Sequence, residues 1–305
     1  MRRITLLTNP DKCNLHCPLC FLNQRGSDFG MGEMSWDVAK AAVEKYAAEN
    51  ASSSRNAAEN ASRSGLREVI PSTMGEPLLY SHFEELVDLC AELKIPLNLT
   101  TNGTFPGIWG TDEGMRRLLK ACSDIKISSL ASECFADWKT NVEKLTALAK
   151  GNAAENAIEN VATVSLQVTL HKENLMMVPE IIAWAEAIGI ERIKWNTAVF
   201  LSVAPVALRE RYALPLDRVS EIRNYVKGFA ALGSRVKHEG NLFFERRGNE
   251  TAQGSVQSSN GEICGFDDEL WILPDGSEQH CPNPERRFGK VDAPEALCVN
   301  CPMRR

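Results

Sequence analysis

The chain of 305 residues has no run approaching 18 apolar residues, so no membrane-spanning helix is expected. It also lacks the long apolar stretch and small-residue cleavage site of a signal peptide. Instead, Met1-Arg2-Arg3-Ile4-Thr5-Leu6-Leu7-Thr8 runs directly into a strand pattern. Basic residues are not in excess. The net charge is -6, which argues against a general electrostatic footprint for nucleic acid. These absences point to a cytoplasmic protein with neither membrane nor nucleic acid as a partner. Hydrophobic residues at 44% and charged ones at 24% exclude a disordered or fibrous chain. The length suits one large α/β domain with a small appendage.

Cysteine, by contrast, is plentiful. Ten cysteines stand at positions 13, 17, 20, 90, 122, 134, 264, 281, 298 and 301. In a reducing cytosol, clustered thiols more often bind metal or do redox chemistry than form disulfides. Three lie near the N-terminus, four near the C-terminus and three between.

Up to about residue 240, short β-like runs alternate with amphipathic helical patterns. Strands are expected at Ile4–Asn9, Glu68–Thr73, Pro96–Thr101, Asp124–Ser129, Val161–Leu170 and Arg192–Asn196. Between them, Phe83, Leu86, Val87, Cys90 and Leu93 repeat at the spacing of one buried helix face, as do Met115, Leu118, Leu119 and Cys122. Val178–Ala187 is a further helix, ended by Gly189. Such alternation implies a parallel sheet with right-handed crossovers, closed as a barrel or open and doubly wound. In either form, ligands sit at the C-terminal ends of the strands.

Two segments, 47–64 and 152–160, share the word Ala-Ala-Glu-Asn and have few large apolar residues, so they read as surface insertions. The sequence therefore divides into a core over 1–240 and a C-terminal segment over 241–305. The latter carries 7 Lys/Arg against 11 Asp/Glu.

Cys13-Asn14-Leu15-His16-Cys17-Pro18-Leu19-Cys20 places three thiolates within eight residues, just after the first strand. Three thiolates on a cubane cluster leave one iron open to bind a cofactor or substrate, whereas structural clusters and structural zinc usually have four protein ligands. His16, between two of these cysteines, reads as an exposed loop residue. After the second strand come Met74-Gly75-Glu76-Pro77, where Gly75 permits close backbone approach, Glu76 offers an acceptor for an ammonium and Pro77 stiffens the turn. After the third comes the polar turn Thr101-Asn102-Gly103.

This combination resembles the radical S-adenosylmethionine (SAM) superfamily. The resemblance implies a partial (β/α)6 TIM-like barrel and a 4Fe–4S cluster on Cys13, Cys17 and Cys20. The open iron would chelate SAM, and electron transfer would cleave it to methionine and a 5′-deoxyadenosyl radical that abstracts a substrate hydrogen. Gly75, Glu76 and Pro77 match the family's Gly-Gly-Glu-Pro motif with Met74 in place of the first glycine, and Glu76 would hold the methionyl amine. Asn102, Phe21, Ser128, Ser129 and Asn174 are the remaining residues expected near the cofactor. For Asn174, the residue pattern alone reads as a helix N-cap. A flavodoxin- or ferredoxin-type electron donor is also implied.

In the C-terminal segment, Leu270-Trp271-Ile272-Leu273 and Ser277–His280 flank Pro274-Asp275-Gly276, the pattern of a β-hairpin. Cys264, Cys281, Cys298 and Cys301 surround it. Their spacing resembles the shortened (twitch) form of the SPASM domain, which implies one auxiliary 4Fe–4S cluster; a zinc site would use the same four thiolates. Cys90 and Cys122 read as core residues. Cys134, after the fourth strand, could donate a hydrogen atom to a product radical or simply pack.

The expected substrate is a peptide or protein. With the first strand expected at Ile4–Asn9, no N-terminal peptide-recognition domain is expected. A small-molecule radical dehydrogenase or mutase, for instance on an amino sugar, is therefore a close alternative. A non-catalytic iron–sulfur or zinc protein is the alternative of another class.

Overall fold

The computed structural model describes residues 3–25, 30–53, 66–71, 74–129, 137–154, 162–215, 218–231, 235–243 and 269–279. Among the described residues are nine strands: β1 (Arg3–Leu6), β2 (Glu68–Pro71), β3 (Leu97–Thr101), β4 (Cys122–Ser128), β5 (Thr163–Leu170), β6 (Arg192–Thr197), β7 (Lys237–Glu239), β8 (Glu269–Ile272) and β9 (Glu278–Gln279). They form one sheet in the order β7-β6-β5-β4-β3-β2-β1-β8-β9. Every neighbouring pair is parallel except β8 with β9.

The helices are α1 (Phe21–Gln24), α2 (Trp36–Ser53), α3 (Phe83–Glu92), α4 (Asp112–Ala121), α5 (Trp138–Ala154), α6 (Val178–Ile188), α7 (Val206–Tyr212) and α8 (Val219–Ala230). The expected mixed α/β fold with a partial-barrel sheet is the one observed. No helix among the described residues is long and apolar enough to cross a membrane.

Alternation along the strands sorts the two faces of this sheet. Ile125 and Ile127 of β4, Leu166 and Val168 of β5, and Ile193 and Trp195 of β6 are buried in the core beneath the helices, with Phe83, Leu86, Leu118 and Val142. The intervening residues, Asp124, Lys126, Ser165, Gln167, Arg192 and Lys194, turn to the opposite, concave face. A sheet covered on both faces by helices would show continuous apolar runs. Here the second face is polar. Its floor is closed by a network: Asp124 accepts from Ser165 Oγ at 2.8 Å and lies 2.6 Å from Arg192, while Glu68 accepts from Asn98 Nδ2 at 2.9 Å and Ser123 Oγ at 3.0 Å and pairs with Arg3.

Several sequence expectations shift in detail. Cys122 is buried but begins β4 rather than ending α4, because the chain turns extended at that residue. The first Ala-Ala-Glu-Asn word continues α2, and α5 runs on to Ala154. Residues 54–65 and 155–161 lie outside the described residues. β7, three residues long, was not expected; Lys-His-Glu carries no apolar pattern.

The hairpin forms with Gly276 at φ 84° and Leu273 N–H donating to Ser277 O at 2.9 Å. Its first strand joins the barrel sheet, pairing Ile4 with Leu270 and Leu6 with Ile272. Parallel pairing there gives the β1 edge a neighbour. Glu278 then binds the hairpin to α2 through Lys45 Nζ at 2.8 Å and Tyr46 Oη at 2.6 Å.

Candidate active site

Cys13, Cys17 and Cys20 occupy the loop between β1 and α1, at the C-terminal end of the sheet. Cys20 closes a turn by donating its N–H to Cys17 O at 3.0 Å, then accepts at its own carbonyl from Asn23 and Gln24 to start α1. Leu15 N–H points at Cys13 Sγ at 3.4 Å, and Asn102 Nδ2 reaches the same sulfur at 3.6 Å. That Asn102 amide also donates to Asn14 Oδ1 at 2.9 Å. The turn after β3 therefore holds the cysteine loop directly.

The segment after β2 completes the rim. Gly75 adopts φ +80°, and a Cβ there would meet Asn9 O at 2.2 Å. This contact lets Glu76 N–H donate to Lys12 O at 2.9 Å and Asn9 Nδ2 donate to Glu76 O at 2.6 Å. The Glu76 side chain is 1% exposed. Its Oε1 accepts from Thr101 Oγ1 at 2.7 Å and Leu78 N–H at 3.2 Å, and its Oε2 from Asn102 N–H at 2.7 Å. Burial outweighs these bonds and pushes the carboxyl up to about 7. Pro77 opens the short 3-10 turn that follows.

Other expected residues fall into different surroundings. Met74, in the place of a glycine, is buried in an apolar cluster with Leu7, Leu201 and Trp271, against which Phe21 packs. Ser129 Oγ, at the end of β4, is buried with no hydrogen-bond partner among the described residues. Ser128 lends its carbonyl to Trp138 Nε1 at 3.3 Å. Asn174 does not cap the following 3-10 turn through its side chain. It braces its own loop instead, with Nδ2 donating to Thr169 O at 2.8 Å and Oδ1 accepting from His171 N–H at 2.9 Å. His16 is exposed. Cys134, Cys264, Cys281, Cys298 and Cys301 lie outside the described residues.

Three residues that sequence reasoning passed over support the loop. Arg25, 8% exposed, pairs with Asp11, whose second oxygen accepts from Met31 N–H at 2.6 Å and Gly32 N–H at 2.5 Å. Gln24, 3% exposed, donates to Leu19 O at 2.7 Å and Val199 O at 3.1 Å and accepts from Leu201 N–H at 2.8 Å. It thereby ties α1 to the chain after β6. No periodicity announces these contacts. The only sequence signal is polar residues flanking the cysteines.

The donor set suits an iron–sulfur cluster. Among the described residues, no three His, Cys, Asp or Glu converge on one point as a mononuclear metal needs; in a cubane each thiolate takes its own iron. Burial raises the Cys13 and Cys20 thiols above their ordinary range, so binding a cluster would displace their protons. The buried Glu76 carboxyl and the orphaned Ser129 hydroxyl stand on the same rim as polar atoms suited to a further ligand.

Residues 10–185 match the family model described as the Radical SAM superfamily. Comparison by sequence with curated proteins returns no match. Among solved structures, the fold is similar to Streptococcus suis SuiB bound to the precursor peptide SuiA, with a TM-score of 0.65 and 13% identity over 99% of this chain and 65% of that one. SuiB bound to S-adenosylmethionine gives 0.63 and 14% identity, over 99% and 66%. The structure of anSMEcpe with bound AdoMet gives 0.60 and 16% identity, over 95% and 76%. The chain thus spans about two thirds of SuiB's length. The matched region holds the cysteine loop, Glu76 and Asn102, and the chain belongs to the radical SAM superfamily.

Proposed function

We propose that the protein is a radical SAM enzyme that modifies a peptide, with Cys13, Cys17 and Cys20 as the ligands of its 4Fe–4S cluster. The observation that carries this reading is the convergence of three loops. Asn102 touches Cys13 Sγ through its side chain and Glu76 through its backbone, so the thiols and the buried carboxylate form one unit.

The cluster and SAM, when bound, supply a one-electron cleavage that yields a 5′-deoxyadenosyl radical. The chain's own contribution is orientation. Glu76, held by Thr101, Leu78 and Asn102, would receive the methionyl amine of the bound cofactor. Gly75 keeps the backbone close to β1, and Pro77 fixes the turn. Phe21, Met74 and Leu201 exclude water from the inner side of the loop. Ser128, Ser129 and Asn174 stand at the ends of β4 and β5, on the cofactor's expected path. Peptide as the substrate class is favoured by the structural neighbours bound to peptides, SuiB with SuiA and anSMEcpe with a peptide.

Cys264, Cys281, Cys298 and Cys301 are assigned to a single auxiliary cluster in a twitch-like segment over 241–305. The hairpin in this segment packs on β1, the strand that leads into the cysteine loop. Cys134 is the candidate hydrogen donor to a product radical, with packing as its other reading, and a flavodoxin- or ferredoxin-type protein is the candidate electron donor.

Anaerobic reconstitution tests the reading. About eight irons, two cubanes, are expected per chain. Cys13→Ala should lose about half of them and all SAM cleavage. Cys281→Ala should lose the other cluster while some cleavage persists. Deuterium transfer from labelled peptides to 5′-deoxyadenosine identifies the substrate. Full iron retention in Cys13→Ala, or full exchange of the metal for zinc without loss of function, would overturn it in favour of a non-catalytic metal protein.

A further inference from the structure

Charged side chains on the concave face of the sheet are closely paired near its floor and less so above it. Arg3 meets Glu68, Arg192 meets Asp124 and Glu239, and Lys237 meets Glu239. Lys126 and Lys194 are less well matched. Lys126, on β4, is 7% exposed, and its Nζ makes no hydrogen bond among the described residues. Its ion-pair partner, Asp124 Oδ2, stands 3.4 Å away and is already 2.6 Å from Arg192 Nη2. Lys194, on β6, is half-buried and forms no ion pair with a described carboxylate. Burial brings Lys126 down to about 8, with Asp124 opposing the shift and the nearby charge of Lys194 adding to it.

Between them lies β5. Gln167 is in register with Ser128 on one side and Lys194 on the other, one step nearer the rim than the Lys126–Ser165 pair. Its side-chain amide has no hydrogen bond among the described residues. Adjacent strands thus present two ammonium groups and one amide to the chamber, below the cysteine loop. In a chain of net charge -6, a lysine that shares its carboxylate with an arginine, beside a second lysine with no ion pair among the described residues, is the unusual element. A buried donor without an acceptor is costly, and an ammonium more so. An anion placed between the lysines would satisfy both and remove their mutual repulsion, through charge-assisted bonds strengthened by the low dielectric.

We propose that Lys126, Gln167 and Lys194 form a subsite that binds a carboxylate of the substrate, so that the enzyme acts on acidic substrates. The proposal rests on reading the concave face as the substrate chamber of the radical SAM enzyme above. The carboxylate could come from an acidic residue of a peptide or from a small dicarboxylic acid. These two sources share one chemistry and are separated by the probes below.

The reconstituted, SAM-loaded protein is titrated calorimetrically with N-acetyl-Gly-Glu-Gly-amide, its Gln counterpart and glutarate. The Glu peptide or glutarate should bind and the Gln peptide should not. Tighter binding of the former assigns a peptide source, and of the latter a small acid. Lys194→Met should weaken the bound carboxylate about tenfold or more, while Lys194→Arg retains it. Lys126→Met should act likewise; should it fail to fold, the half-buried Lys194 still decides the matter.

Iron content and SAM affinity should stay unchanged in these variants. Equal binding of the Gln peptide, no carboxylate binding, or binding indifferent to both lysines would overturn the proposal. Loss of SAM affinity in the lysine variants would overturn it too, because the lysines would then serve the cofactor's own carboxylate. The same titrations run on metal-free protein, so a wild type that takes up no iron would defeat the function reading and leave this one to the lysine variants.

Discussion

Arg25 and Asp11 form an ion pair that clasps the two ends of the cysteine loop together. Asp11 precedes Cys13 by two residues, and Arg25 follows Cys20 by five. The guanidinium is almost wholly enclosed, with 4% of its side chain exposed against 29% for Asp11. It also lies near enough to Cys20 to favour the thiolate there.

Replacing Asp11 with Asn keeps the shape and removes the charge that meets Arg25. Fully enclosed pairs lose about 3–5 kcal/mol in this way; Asp11 is partly exposed, so roughly 2 kcal/mol is expected. The urea midpoint of the metal-free protein reads this loss. Breaking the exposed Arg211–Glu173 pair by Glu173→Gln should leave the midpoint unchanged. Equal effects of the two substitutions would deny the clasp its role.

Glu76 makes the stability of the metal-free protein depend on pH. Its folded-state value of about 7 lies above the ordinary 4.5, because burial disfavours the ionised form. The folded protein therefore holds the proton more tightly than the unfolded chain. The stability this confers is complete below about pH 4.5 and is lost as pH rises to about 7, by roughly 3 kcal/mol in all. Glu76→Gln, which cannot ionise, should show no such loss. Chemical denaturation of both proteins at pH 5 and pH 8 makes the comparison. A wild type that gains stability over that interval relative to Glu76→Gln reverses the sign and rejects the assignment.

The fold was legible because alternating apolar residues at Ile125, Ile127, Leu166 and Val168 mark strands, and 3.6-residue spacing marks α3. The cysteine spacing and the Gly75-Glu76-Pro77 turn were legible as local words. Contacts between distant segments were not. Gln24 with Leu201 spans 177 residues and Asn102 with Cys13 spans 89, and an amide carries no mark of its partner in sequence. Lys126 and Lys194 were illegible for a related reason. An isolated lysine in a strand reads as solvated until the sheet places it on an enclosed face.

Gly75 should tolerate no side chain. At φ +80° an L-residue is strained, and its Cβ would sit 2.2 Å from Asn9 O and 2.9 Å from Lys12 O, both backbone atoms. Gly75→Ala should cost about 3 kcal/mol or more, strain and displacement together. Gly107, at φ +59° with nothing within 4 Å of an added Cβ, isolates the strain alone. Gly107→Ala should cost about 1–2 kcal/mol. Denaturant midpoints separate the two, and similar losses at both would mean that the approach to Asn9 is unimportant.

Gln24 links two parts of the chain that the sheet leaves apart, since β1 and β6 are not neighbours in its order. One amide serves Leu19 O, Val199 O and Leu201 N–H at once. Gln24→Ala would leave these backbone groups without that partner, at about 1 kcal/mol each. The loss should be local before it is global, because Leu201 lies in a loop braced also by Arg209 Nη2 on its carbonyl. Hydrogen exchange at the Leu201 amide should therefore quicken about tenfold or more, while the amide of Leu166 in the middle of β5 exchanges as before. Gln24→Glu tests the geometry separately. It keeps an acceptor for Leu201 N–H but faces the carbonyls of Leu19 and Val199 with a negative charge, so it should destabilise at least as much as the alanine. Unchanged exchange at Leu201 in both variants would show that the loop after β6 holds its position without α1.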